Sequence, residues 1–144
     1  MSPPLIVTLA IITFAAGFHL NWSLGGQLGL SVSLPQRPDG VPVMNHRISW
    51  WRPAAGAVAA ALILLGALAL AAEGYLTLPL PPFVVRAALG LAGGAFMLRA
   101  IVPTAWTGFF KRIRGTRWAR YDTWLYSPLF LLLGAALLVI ALTR

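Results

Sequence analysis

The sequence predicts an all-α protein, a four-helix transmembrane bundle whose two termini lie on the same, outer side. Three observations carry this: a shortage of charge, four apolar stretches of spanning length, and a lopsided placement of Lys and Arg. Of 144 residues, 10% are charged and 59% hydrophobic, and the mean hydropathy is +0.81. A soluble domain carries about 25% charged residues, and so little polar surface does not cover a core in water. A lipid-facing exterior removes the difficulty. One unit fits the length, so residues 1–144 are read as a single transmembrane domain.

A hydrocarbon core of about 30 Å takes roughly 20 apolar residues in a helix. The candidate spans cover about 5–24, 54–72, 83–102 and 124–142. The first is uncharged but contains His19 and Asn21. The second is almost wholly Ala, Leu, Val, Ile and Gly. Pro53 suits a first helical turn, where its missing N–H leaves nothing unpaired. Pro79, Pro81 and Pro82 break any helix between the second and third spans, and Pro128 falls near enough to the start of the fourth to be tolerated. The opening segment has no Lys or Arg and no small-residue cleavage pattern after its apolar run, so it reads as a retained helix and not a signal peptide.

Basic residues set the direction. The segment after the first span holds Arg37, Arg47 and Arg52, and that after the third holds Lys111, Arg112, Arg114, Arg117 and Arg120. The opposite side has Arg86 and Arg144. Both basic linkers are therefore expected in the cytoplasm and both termini outside. The first linker is long and rich in Gly and Pro. Its apolar part, Leu28 to Leu34, is too short to cross and is expected along the interface, with Trp50 and Trp51 in an aromatic belt. The two halves share no sequence repeat.

The net charge of +8 would suggest nucleic acid in a soluble protein. Here it reports topology and anionic headgroups, which makes membrane lipids the expected partners, held by Lys111, Arg112, Arg114 and Arg117, and sets nucleic acid aside. The absence of Cys excludes disulfides and thiol chemistry. The scattered His and acidic residues offer no metal-ligand spacing, and no cofactor is expected.

Two runs resemble a known family. FHLNWSLGGQLGL followed by SLP, and GFFKRIRGTRWARYDTWLYSPLFLLLG, are similar to the hallmarks of a bacterial membrane-protein family catalogued as domain of unknown function 3995. The resemblance covers about a third of the chain. It implies a small four-helix protein of the bacterial inner membrane and brings no established activity with it.

Polar groups inside a span are functional candidates by default. The expected topology brings them to one depth: His19, Asn21 and Trp22 on the first span, Arg99 on the third, Asp122 and Tyr126 on the fourth. His19, Trp22 and Ser23 share a helix face, as do Asp122 and Tyr126. Pro103 cannot donate to the carbonyl of Arg99, which is expected to leave that carbonyl beside the guanidinium in a partly hydrated pocket. The competing reading is structural: Arg99 pairs with Asp122 while His19 and Tyr126 bond to carbonyls. Ser23, His19 and Asp122 also assemble a nucleophile–base–acid set on paper, but such spacing is common. Glu73 and Arg86 are expected to pair with each other or face water. Gly90 and Gly94 stand at GxxxG spacing, suited to packing within the monomer or to a homodimer.

The reading that follows is binding of an amphipathic small molecule or lipid in a cytoplasmic-side polar pocket. Arg99 would hold an anionic group and His19 exchange a proton, with Trp22 and Tyr126 at the mouth. Nothing compels an enzyme; if there is one, proton transfer of the isomerase type on a lipid-soluble substrate suits these groups. The alternatives are a non-catalytic interaction or assembly protein and a dimeric small-solute transporter.

Overall fold

A computed structural model describes residues 1–45 and 47–144. The described residues contain helices and one isolated bridge, Gln36 to Pro42, and no strand. In chain order the helices are α1 (Pro3–Ser23), α2 (Leu30–Ser33), α3 (Trp51–Ala72), α4 (Pro82–Ile101), α5 (Arg117–Tyr121) and α6 (Ser127–Thr143), with a π-helical turn at Asp122–Tyr126 joining α5 to α6. Four helical stretches are long and apolar enough to cross a membrane: α1, α3, α4 and the continuous run Arg117–Thr143.

The ends of these helices follow from local chemistry. Ser2 caps α1 by accepting the Leu5 N–H at 3.3 Å, and Pro3 and Pro4 occupy its first turn. At the other end Gly25 takes φ +94°, so its N–H reaches the Trp22 carbonyl and that of Gly26 the Asn21 carbonyl. This paired glycine cap satisfies carbonyls that the helix leaves open. Gly74 closes α3 in the same way, with Tyr75 bonding back to Leu70 at 2.9 Å.

The last span departs from expectation. Helix begins at Arg117, capped by the Thr116 hydroxyl, well before residue 124. Pro128 is thus far from the first turn. Having no N–H, it leaves the carbonyl four residues earlier without its helical donor. The chain meets this by widening one turn, so that the Ser127 N–H bonds to the Asp122 carbonyl.

The long helices pair as two hairpins. α1 lies along α3, and α4 along α6. The hairpins meet at the end of the molecule that holds the termini and the 73–81 loop. There Leu5, Ile12, Leu65, Leu68, Val85, Leu89, Leu137 and Ile140 form one buried cluster. α4 and α6 approach most closely at Gly93 and Gly134, where a Cβ on either would lie 2.9 or 2.7 Å from the other's carbonyl oxygen. The close approach does not use the predicted pair: Gly90 meets the Ala141 methyl at 3.8 Å and Gly94 has open space. At the opposite end, which carries the basic linkers, the hairpins diverge.

Both linkers fold back onto that divergent end. Leu30 and Leu34 of the first are buried with Trp22 and Ala55, and Phe18 and Trp51 pack on them. The apolar part expected along the interface is thus half inserted into the protein. The Trp51 ring lies tilted against Trp22, centres 6.3 Å apart, whereas Trp50 is exposed. Gln36 then accepts the Trp118 N–H at 3.1 Å, tying the first linker to the second.

Candidate functional site

A cavity of about 520 Å³ fills the space between the diverging hairpins. Its walls are largely apolar: Ile11, Phe14, Ala15 and Phe18 of α1, Val58 and Leu62 of α3, Phe96 of α4, and Leu125, Leu129, Phe130 and Leu133 of the last span. α2 and the α5 aromatics Trp118 and Tyr121 cover its linker end. The polar side chains that reach it are His19, Ser33, Arg99, Tyr121 and Tyr126. Volume and lining are those of a small-molecule site, an apolar hollow with few polar groups.

Arg99 is the charge that lines the cavity. Its guanidinium lies 4.3 Å from the centre of the Phe130 ring, a cation–π placement. Nη2 donates to Asp122 Oδ1 at 2.5 Å and Nη1 to the Ser127 hydroxyl at 3.1 Å. Asp122 is fully buried behind it. The second carboxylate oxygen, Oδ2, accepts from Lys111 Nζ at 2.9 Å, the Gly108 N–H at 2.9 Å and the Ser127 hydroxyl at 3.3 Å. Lys111 gives its other protons to the Gly108 carbonyl at 2.9 Å and the Thr123 hydroxyl at 2.7 Å. One carboxylate therefore holds two cations, and it sits in low-dielectric surroundings where unpaired charge is costly.

The other candidates divide. His19 lines the cavity, and its Nδ1–H donates to the Ala15 carbonyl at 2.8 Å. In the neutral ring that leaves Nε2 as an acceptor. Trp22 forms part of the wall and anchors the first linker by donating to the Leu28 carbonyl at 2.8 Å. Tyr126 fastens α2 across the cavity, with its hydroxyl donating to the Val32 carbonyl at 3.2 Å and lying 3.0 Å from the Ser33 hydroxyl. Its ring stacks on Trp118 at 5.3 Å.

Asn21 and Asp122 do not line the cavity. Asn21 points into the first linker and accepts the Leu28 N–H at 3.2 Å. The pairing of Arg99 with Asp122, and the carbonyl bonds of His19 and Tyr126, are those of the structural reading, and they coexist with an open cavity. The Arg99 carbonyl lies against Gly108, 3.1 Å from the position of a Cβ there, and α4 ends at Ile101 before Pro103. The second linker covers the end of α4, where the Phe109 N–H bonds to the Ala100 carbonyl at 2.8 Å.

Lys111 departs furthest from expectation. Read with its basic neighbours it belongs among headgroups, yet it is 2% exposed and wholly engaged inside the protein. Arg112, Arg114 and Arg117 are exposed as expected, with Arg120 beside them. Among the residues that sequence reasoning missed are Lys111 as an internal ion, Gly108 beside it, and Ser127 and Phe130 beside Arg99. One cation in a basic run carries no mark that sets it apart. The unlike fates of Lys111 and Arg112 depend on how the linker folds over α4.

At the termini end, Glu73 pairs with Arg144 at 3.3 Å and accepts from the Ser2 hydroxyl at 2.5 Å. The expected partner, Arg86, instead donates to the Arg144 main-chain carbonyl at 3.2 Å. The Ser2 hydroxyl and then Arg144 hold the Glu73 carboxyl below its ordinary value of 4.5. Among the described residues no group of three or more His, Cys, Asp or Glu side chains gathers at a point.

No curated protein and no solved structure matches the chain. One family model does, over residues 11–137, which takes in all of the cavity and its cover. The chain belongs to the family described as protein of unknown function DUF3995.

Proposed function

We propose that the protein binds an amphipathic small molecule or lipid in the cavity between its hairpins, as a multi-pass protein of the bacterial inner membrane. Both basic linkers lie in the cytoplasm and both termini outside, as the bias of Lys and Arg directs. The observation that carries the reading is a largely apolar hollow of about 520 Å³ with a guanidinium exposed in its wall. The apolar walls suit a hydrocarbon tail and Arg99 a polar, acidic head.

Two features favour binding over passage of a solute. The termini half is filled by the buried leucine-rich cluster, and among the described residues Thr8 is its one fully buried polar side chain. A solute crossing the monomer would meet no polar path there. The cover formed by α2 and Tyr126 also gives a bound molecule shelter on the linker side.

The test uses tryptophan fluorescence in mild detergent. Trp22 and Trp118 line the cavity, so amphiphiles brominated along the chain should quench them saturably. Ala15→Phe places a ring in the cavity and should abolish the saturable component. Equal quenching in this variant, correctly folded by circular dichroism, overturns the reading.

A further inference from the structure

Resting on the cavity reading above, we infer that the occupant is a single-chain amphiphile with one negative charge, a long-chain carboxylate in its simplest form, and not a two-chain phospholipid. Asp122 neutralises one of the two cations that it holds, so the cluster of Arg99, Asp122 and Lys111 keeps one positive charge. The chain has three acidic residues in all. Glu73 is engaged with Arg144 at the far end, and Asp39 is exposed in the first linker, where it caps the Val41 N–H. Neither reaches the cluster, and the protein supplies no second counter-charge.

The surplus surfaces at one place. Lys111 spends its three protons on Asp122, Gly108 and Thr123, all within the protein. Both Asp122 oxygens are occupied. Arg99 has five N–H groups, of which two donate to described residues, and its side chain is 21% exposed on the cavity. A buried positive charge is stabilised by an anion that meets it in good geometry, and a guanidinium pairs especially well with a carboxylate. One surplus charge calls for one anionic charge.

Size selects the tail. At the ~30 Å³ that a water-sized group occupies in a liquid, the cavity holds on the order of 17 such groups. That is the size of one chain with a compact head, so the cavity suits a single tail. The walls run along α1 from His19 to Ile11, about 12 Å at the helical rise, so the chain lies alongside α1 with its head at Arg99. Phe14 and Val58 both line the wall and are nearly half exposed, so the cavity is not sealed from the surroundings of α1 and α3. An amphiphile already in the bilayer enters there tail and all.

The experiment compares three brominated probes on the full chain in mild detergent: a long-chain fatty acid, a single-chain phosphocholine and a two-chain phosphatidylglycerol. Only quenching lost in Ala15→Phe is counted as cavity binding. The fatty acid should bind at least tenfold more tightly than either other probe, and Arg99→Lys, which keeps a cation against Asp122, should weaken it several-fold. Ala15→Leu, a smaller obstruction, serves if the Phe variant does not fold. Cavity binding of the phosphatidylglycerol as tight as that of the fatty acid overturns this inference and leaves the binding function standing. Equal affinity for the phosphocholine overturns the charge argument in the same way. No cavity binding of any probe overturns both.

Discussion

At the scale of single residues, Asp122 decides the site. It is the one acid within reach of both Arg99 and Lys111, so Asp122→Asn leaves the two cations facing each other without a counter-charge. Removing one partner of a buried pair costs about 3–5 kcal/mol, and we expect the largest fall in thermal stability of any single change in the cluster. Lys111→Met leaves Arg99 and Asp122 as a balanced pair and should cost less. Because it removes the surplus charge, it should also weaken binding of an anionic amphiphile by about tenfold, about 1.4 kcal/mol, although Lys111 does not line the cavity. A variant that binds as tightly as the parent would show that the surplus charge has no part in recognition. Glu73 gives a different signal, read in acid. Its carboxyl is held below 4.5 by Ser2 and Arg144, so its contribution is fully present above that pH and is lost as pH falls through the lower native value. Thermal melts of the parent and Glu73→Gln should differ at neutral pH and converge in acid; a gap that persists would remove the carboxylate as its cause. The sequence made part of this legible. Arg99, Asp122 and Tyr126 stood out because charge and hydroxyl are rare in apolar helices. Lys111 did not, since a basic linker explains its charge without any burial.

At the scale of elements, the helices were readable where local chemistry sets them and unreadable where packing does. Apolar runs of spanning length and the prolines at their edges gave three spans to within a few residues. The fourth begins seven residues before its expected start, because RWARY is polar enough to read as linker and turns helical by docking on α2 and the π-helical turn. Glycine spacing misled in a similar way. Gly90 and Gly94 have the motif spacing, but the backbone contact lies at Gly93 and Gly134, on a face that a single helix cannot reveal. This makes a sharp comparison. Gly93→Ala and Gly134→Ala force a methyl to 2.9 and 2.7 Å from the opposing carbonyl oxygen. Separating α4 from α6 in this way should cost about 1–3 kcal/mol. Gly94→Ala has open space and should be neutral or stabilising, since Ala is the better helix former. Melting temperatures in one detergent decide it. If Gly94→Ala proves the most damaging of the three, that glycine packs against another molecule, and the homodimer reading returns.

At the scale of the whole molecule, function depends on which leaflet the cavity faces. The two hairpins close at one end and part at the other, and the charged cluster lies at the parted end with the basic linkers. No repeat or composition signal marks this wedge; it arises because the leucine-rich halves of α1, α3, α4 and α6 pack more fully than their linker-side halves. What the sequence does offer is direction. Arg37, Arg47, Arg52 and the cluster from Lys111 to Arg120 all fall on one side, and Lys111, though interior, still has to be retained there before the linker folds. The orientation is open to direct measurement because the chain contains no Cys. A single cysteine can therefore be placed at Leu76, exposed in the 73–81 loop, or at Arg112, exposed in the second linker. In spheroplasts, a membrane-impermeant maleimide should label Leu76→Cys directly and Arg112→Cys only after permeabilisation. That outcome opens the cavity to the inner leaflet, where its ligand would be drawn from lipids and acids made in the cytoplasm. The reverse pattern would turn the molecule over. The surplus charge at Arg99 would remain, since it depends on internal pairing alone, but the ligand would then be sought among amphiphiles arriving from outside.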